Sequence, residues 1–458
     1  MSHDRFASGA RTLPHPERAS FIGRSVRAVA RIGILSGVLG GVLGSALLLS
    51  ACAPMKTDAS ISGSAAGNGV SSAKLDRFMS TIEADTRAGR IPGAVMLVSR
   101  DGQIVKASAV GVENPQTGKP MARDAIFRIY SMTKPIVSIG IMSLVEDGRI
   151  KLADPVSRYL PAMANLKVGI EKTGPDGKPV LELVNATREM TVQDLMRHTS
   201  GLTYGVFGKS AVKSEYLKVG LTPGSPGVTY DNAEMIKRLG TLPLSSVPGS
   251  TWDYSVSTDV LGALIERVSG QTLDAFLADR ILRPLKMNDT GFSVPPAKQG
   301  RIAQPFPVDP DSKQPVALLD VTRAPALLSG GGGLVSTADD YLRFAQMLLN
   351  GGELDGVRIV SRKTIEYMTS DHTGNIRGPA YLPGPGYGFG LGVAVRKTTG
   401  ESAQYGSAGD YYWGGYAGTY FWVDPKERLI AVWMMQAPSQ SGHYRTVLRT
   451  AVYSSLDQ

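Results

Sequence analysis

Cysteine is almost missing from this chain. The 458 residues contain one, Cys52, so no disulfide can form within the molecule. Histidine is scarce as well. Beyond residue 52 only His198, His372 and His443 remain, none in a His-Glu-x-x-His pattern, which argues against a histidine-based zinc site. No metal and no cofactor is expected. Gly-x-Ser-x-Gly does not occur, which removes the nucleophile elbow that a Ser-His-Asp hydrolase of the α/β type requires. Lys and Arg form no dense cluster, so nothing points to nucleic acid. The run Gly330–Gly333 is followed by no Gly-Lys-Ser/Thr, so a close backbone approach or turn is expected there rather than a phosphate cradle.

What is present begins with an export signal. Six Arg and two acidic residues precede an uncharged run from Ile32 to Leu49, a basic region followed by an apolar one. The closing Leu49-Ser50-Ala51-Cys52 resembles the lipobox of bacterial lipoproteins. That resemblance implies a signal peptide over 1–52, lipidation of Cys52 and anchoring to the cell envelope. No aspartate follows Cys52, so the outer membrane is expected if the source has one. Removing these residues takes +4 from the formal +9 and leaves +5 on 406 residues, enough chain for one large two-lobed unit. Residues 53–72 are rich in Ser, Ala and Gly and should be a flexible tether.

From Ala73 the pattern turns helical through Leu75, Phe78, Met79 and Ile82. A strand over 93–99, the Asp101-Gly102 turn and a strand over 104–112 then predict a hairpin. The middle of the chain reads as helices with long loops. Thr191 and Asp194 form a capping-box-like start, Asp259 to Gly270 an amphipathic helix, and 339–349 another. Tyr387 to Val395 reads as one glycine-interrupted strand. Strands follow over 418–423 and 429–435, and a last helix over 444–453. Strands at both ends with helices between them describe an α+β fold: an antiparallel sheet flanked by helices, plus a mainly helical lobe over about 135–330.

Ser-x-x-Lys occurs three times, at Ser71/Lys74, Ser131/Lys134 and Ser210/Lys213. Only Ser131 precedes a strongly apolar run, Ile136 to Val145, that suits a buried helix. Ser71 lies in the Gly/Ser-rich tether and Ser210 in a polar stretch, and neither is expected to open a buried helix. Pro135 fits a first helical turn. Residues three apart share a helix face, so the Lys134 amine can reach the Ser131 hydroxyl and take its proton. Taken alone, Ser131 reads equally well as an ordinary helix cap. Tyr254, in a turn-rich loop before a helix, is a candidate general acid or base, and also reads as a packed loop aromatic.

Together these pieces resemble the serine β-lactamase-like superfamily: class C β-lactamases, D-alanyl-D-alanine carboxypeptidases and family VIII carboxylesterases. The resemblance spans about 73–456. It rests on Ser131-Met132-Thr133-Lys134, His198-Thr199-Ser200-Gly201-Leu202, Pro248-Gly249-x4-Tyr254-Ser255, Asp259-Val260-Leu261-Gly262, Gly332-Gly333-Leu334-Val335-Ser336-Thr337 and Trp413-Gly414-Gly415 with Gly418-Thr419-x3-Val423-Asp424-Pro425. It implies Ser131 as nucleophile, Lys134 and Tyr254 as its acid/base partners and His198 as structural. It also implies an oxyanion hole from the Ser131 and Tyr416 amides. The family's Lys-Thr-Gly motif corresponds to Trp413-Gly414-Gly415. Lys172-Thr173-Gly174 sits in a Pro/Gly loop upstream of Tyr254, and His372-Thr373-Gly374 in a polar loop. Two departures stand out: Val256 replaces the asparagine of Tyr-x-Asn, and Trp413 replaces the lysine. Both favour a neutral ester, with Trp413 against the acyl chain. The expected activity is therefore ester hydrolysis or acyl transfer on a small-molecule ester. The alternatives are a D-amino-acid peptidase or β-lactamase, and a silent, anchored binding protein of the same fold. The sequence does not set the oligomeric state.

Overall fold

Leu75, Met79 and Ile82, spaced one helical turn apart, form the buried stripe of the first helix, α1 (Ser72–Arg87). The computed structural model describes residues 69–177 and 179–457; the expected export signal, Cys52 and residues 53–68 of the expected tether lie outside them. Strands β1 (Gly93–Arg100) and β2 (Gln103–Asn114) close around Asp101 and Gly102, at φ of 53° and 77°. That pair of left-handed residues matches the right-handed strand twist of a two-residue hairpin. A short strand β3 (Lys119–Pro120) follows. Next come β4 (Phe127–Arg128), a 3₁₀ turn over Tyr130–Met132 and helix α2 (Thr133–Glu146), which buries every residue from Thr133 to Leu144.

The lobe beyond α2 contains the hairpin β5 (Lys167–Thr173) and β6 (Pro179–Asn185), then α3 (Val192–Met196), α4 (Ala211–Lys218), α5 (Asn232–Leu239), α6 (Ser257–Ser269) and α7 (Leu273–Leu277). Strand β7 (Val335–Ser336) returns to pair with β4, and α8 (Ala338–Leu349) follows, capped by Thr337 on the Asp340 amide. A small hairpin of β8 (Glu353–Leu354) and β9 (Val357–Arg358) precedes α9 (Arg362–Met368). The chain ends with β10 (Tyr387–Phe389), β11 (Ala394–Arg396), β12 (Tyr411–Gly414), β13 (Tyr420–Asp424), β14 (Leu429–Met435) and α10 (Ser441–Ser454).

The main sheet has the order β10-β11-β12-β13-β14-β1-β2-β3 and is antiparallel throughout. The two chain ends thus meet at its centre, with Met96 opposite Trp433. Alternation along the strands divides the core in two. Met96, Trp422 and Trp433 face α1 and α10, whereas Leu97, Phe421 and Val432 face the side of α2 and α8. Central strands covered on both faces must be apolar at every position, as β14 is. Gly140 lets α6 and α7 close onto α2, since a Cβ there would meet Ile265 and Phe276 at 3.2 Å. The result is an α+β fold.

Several expectations change. The strand over 387–395 is the hairpin β10–β11, because Gly392, at φ 99°, turns the chain back. Lys172 and Thr173 belong to strand β5, not to a loop. Ser71 and Ser210 both stand at helix starts, preceding α1 and α4, and Ser210 accepts from the Lys213 amide. Neither helix is buried all round. Lys74 pairs at the surface with Asp457, and Lys213 donates to the Phe207 carbonyl.

Candidate active site

Ser131 sits in the 3₁₀ turn that feeds α2, immediately after Tyr130, whose φ is +42°. Its hydroxyl does not cap the helix, so the side chain is left for other work. The turn is held on several sides. The Ile129 amide donates to Leu334 O at 3.0 Å, Tyr341 donates to Met132 O at 2.9 Å, and Thr133 accepts from the Leu334 amide at 3.1 Å. A side chain locked by its surroundings keeps its geometry without further ordering cost.

One turn on, Lys134 is 1% exposed. Its Nζ lies 3.4 Å from Ser131 Oγ, 3.2 Å from Tyr204 Oη and 2.6 Å from Gly331 O. The expected serine–lysine contact is therefore made. Nζ also stands 4.6 Å over the Tyr254 ring, so lysine meets the face of that tyrosine. The Tyr254 hydroxyl instead accepts from Trp413 Nε1 at 3.3 Å. Trp252, His198, Tyr204 and Trp413 surround the Tyr254 ring with centroids 4.9–6.1 Å away. His198 is buried with Nδ1 3.2 Å from Ser255 Oγ. Burial and then the Lys134 charge push its pKa well down, so it stays neutral and acts as packing.

Strand β12 carries Trp413 and Gly414 past this centre. Gly415 donates to Thr419 O at 2.8 Å, and a Cβ on it would stand 2.3 Å from Ile129 O. Only glycine lets this turn touch the backbone just before the serine. Tyr416 follows, its ring edge-on to Tyr130 at 5.4 Å. No hydrogen bond among the described residues occupies the Ser131 or the Tyr416 amide.

Two cavities meet here. A cavity of about 630 Å³ is lined by Ser131, Tyr254, Trp413, Gly414, Gly415 and Tyr416, with Leu382, Tyr387, Tyr412 and Arg445 beyond. A second, of about 350 Å³, is lined by Tyr130, Ser131, Tyr204, Val206, Phe207, Tyr254 and Tyr416. Val256 lines neither. It is wholly buried at the start of α6, so its expected contact with substrate is corrected to a core position: the chain turns into the helix there and carries the side chain inward.

Four contributors escape the sequence argument. Tyr204 follows the His198–Leu202 motif, and Asp259 opens one of the motifs behind the resemblance but was given no role at the site. Gly331 supplies a carbonyl, and Arg445 reaches the large cavity from α10, with Nη2 2.7 Å from Gly415 O and Nε unpartnered among the described residues. Asp259 is fully buried, with Oδ1 2.5 Å from Ser329 Oγ and 3.0 Å from the Gly331 amide, and Oδ2 3.4 Å from Tyr204 Oη. Burial raises its pKa against the opposing pull of Lys134. Its place at the head of the Asp259–Gly262 motif and of α6 was the available signal.

The chain is similar in sequence and fold to known proteins. Residues 78–453 match the family model described as Beta-lactamase. Protein Rv1367c of Mycobacterium tuberculosis (strain ATCC 25618 / H37Rv) is 34% identical over 372 residues, 79% of this chain and 90% of that protein. Esterase EstB of Burkholderia gladioli is 31% identical over 391 residues, 80% and 92% of the two chains. Among solved structures, EstCE1, described as a hydrolase with promiscuous acyltransferase activity, superposes with a TM-score of 0.69 at 26% identity, over 83% of this chain and 99% of its own.

Proposed function

The chain belongs to the beta-lactamase family of serine hydrolases, and we propose that within it this protein is a carboxylesterase or acyl transferase working through an acyl-Ser131 intermediate. The observation that carries this reading is the 3.4 Å approach of Lys134 Nζ to Ser131 Oγ where two aromatic-walled cavities meet. Lys134 takes the serine proton as Oγ attacks the ester carbonyl carbon. The Ser131 and Tyr416 amides receive the developing oxyanion, where preorganised donors stabilise charge most. Tyr254 gives its proton to the departing alkoxide. Its oxygen already accepts from Trp413, so its own proton is free to leave and the phenolate that forms is stabilised. Water, or a second alcohol, then attacks the acyl carbon and gives its proton to the Tyr254 phenolate, while the acyl–Oγ bond breaks and Ser131 Oγ leaves with the proton held by Lys134.

Tyr254, Phe207, Tyr416 and Trp413 line the cavities that open on the serine, and they suit small-molecule esters of short to medium acyl chain. The esterase named among the relatives supports the same direction. Arg445 favours one second reading, a substrate bearing a carboxylate, because it brings a cation to the large cavity. Steady-state kinetics on p-nitrophenyl butyrate and on benzylpenicillin separate the two. The esterase reading expects clear ester turnover and slow or absent turnover of the penicillin, and a higher kcat/KM for benzylpenicillin would overturn it. For location, the reading includes a lipid anchor at Cys52 that tethers the protein to the cell envelope. The basic leader and the Leu49–Cys52 ending support it.

A further inference from the structure

We propose that Tyr204 and Asp259 are positioning residues that aim the lone pair of Lys134 at Ser131, a role that rests on Lys134 being the base for Ser131. Donors and acceptors around Lys134 Nζ must balance. To take a proton from Ser131, the Lys134 amine must present a lone pair to Oγ, which leaves two N–H bonds to place. One goes to Gly331 O at 2.6 Å, since a carbonyl only accepts. The other faces Tyr204 Oη at 3.2 Å. A tyrosine hydroxyl has one proton, so it accepts from Lys134 only if that proton points elsewhere.

Asp259 decides the direction. Its Oδ1 is occupied by the Ser329 hydroxyl and the Gly331 amide, and its Oδ2 faces Tyr204 Oη at 3.4 Å. An ionised carboxylate accepts only, so the Tyr204 proton turns toward Asp259 and the phenol oxygen accepts from Lys134. Burial, then Asp259, then Tyr254 keep the Tyr204 phenol protonated, so it carries that single proton throughout. Residue Gly331 gives Asp259 a second route to the lysine: the N–H of the peptide before its Cα is on Asp259 and the carbonyl of the peptide after it is on Lys134. There is no slack in this arrangement: a Cβ on Gly331 would lie 2.4 Å from Asp259 Oδ2 and 2.8 Å from Tyr204 Oη.

Asp259→Asn nearly preserves shape but reverses the arm. The Gly331 amide still needs an acceptor, so the asparagine oxygen stays on that side and its NH₂ turns to Tyr204. Tyr204 then donates to Lys134 and occupies the lone pair that Ser131 needs. Tyr204→Phe removes the arm while leaving the Gly331 route intact. The test measures kcat and KM on p-nitrophenyl butyrate, and the rate at which a fluorophosphonate labels Ser131, in the full exported chain and both variants. Asp259→Asn should lower kcat and the labelling rate together by about 10²-fold, within the range of a positioned base, with KM nearly unchanged. Tyr204→Phe should show a smaller loss of the same pattern. A merely structural role would move the melting temperature and leave the labelling rate of the folded fraction alone. If wild type is labelled at Ser131 and either folded variant is labelled at the same rate with wild-type kcat, this inference fails while the Ser131 reading stands. If Asp259→Asn does not fold, Tyr204→Phe alone decides. Wild type that is not labelled at Ser131 would overturn both.

Discussion

Trp413 was expected to touch substrate, and it does line the large cavity, yet its indole N–H is aimed at the Tyr254 oxygen at 3.3 Å. Trp413→Phe separates these roles. Phenylalanine keeps an aromatic ring against Phe389 and Tyr412, now 5.2 and 6.2 Å away, and removes only the donor. A hydrogen bond to a charged group contributes about 1.5–3 kcal/mol, and 1.36 kcal/mol is tenfold in rate. At 3.3 Å the lower end applies, so the loss should be about tenfold. Because the bond acts on the acid/base group, that factor should be the same in kcat/KM for p-nitrophenyl acetate, butyrate and hexanoate. In a Tyr254→Phe background, where the acceptor is gone, the same change should cost almost nothing more. Steady-state kinetics on the three esters and on the double variant make the measurement. Wild-type activity on acetate with a loss growing toward hexanoate would refute the argument and make Trp413 a wall of the acyl site, where contact scales with buried area.

Other expectations follow from the same geometry. Lys134→Ala and Tyr254→Phe should each lower ester turnover by roughly 10³-fold, with the double variant far from additive because the residues act as a unit; single-turnover kinetics check this. Asp194 is buried, which alone would raise its pKa, but Arg188, the Thr191 amide, Arg197 and Thr199 outweigh burial and hold it at about 2. Its folded pKa is thus depressed from 3.8, so its stabilisation, about 2 kcal/mol, is present above that value and fades as pH falls toward 2. Urea unfolding of Asp194→Asn against wild type should show that gap at pH 7 and a smaller one in acid. Cys52→Ser should leave the precursor unprocessed by the lipoprotein pathway, and mass spectrometry finding an unlipidated mature terminus elsewhere in the native protein would end that proposal.

Local chemistry made much of the fold legible. Asp101-Gly102 announced the β1–β2 hairpin, Thr191 and Asp194 do form a capping box, and Gly270 ends α6 in the left-handed region. The β5–β6 hairpin was missed because β5 is largely exposed and its apolar alternation is limited to Val168 and Ile170. Spacing alone could not rank the three Ser-x-x-Lys pairs, since all three serines stand at helix starts. Burial separates them: Lys134 is enclosed, while Lys74 and Lys213 find partners near the surface. Tyr204 lies 70 residues from Lys134 and 55 from Asp259 along the chain, so their meeting is a tertiary event that no local window contains. Val256 shows the converse error. Its place two residues after Tyr254 suggested the site, but the backbone turning into α6 directs it to the core.

The most direct test of the central claim is to find the acyl group during turnover. The protein should be acid-quenched while hydrolysing p-nitrophenyl butyrate, digested and mapped by mass spectrometry. The expected result is a butyryl group on Ser131, absent from Ser131→Ala, which should turn over the ester roughly 10³-fold more slowly or worse. A butyryl group on Ser71 or Ser210, or wild-type turnover by Ser131→Ala, would contradict the assignment.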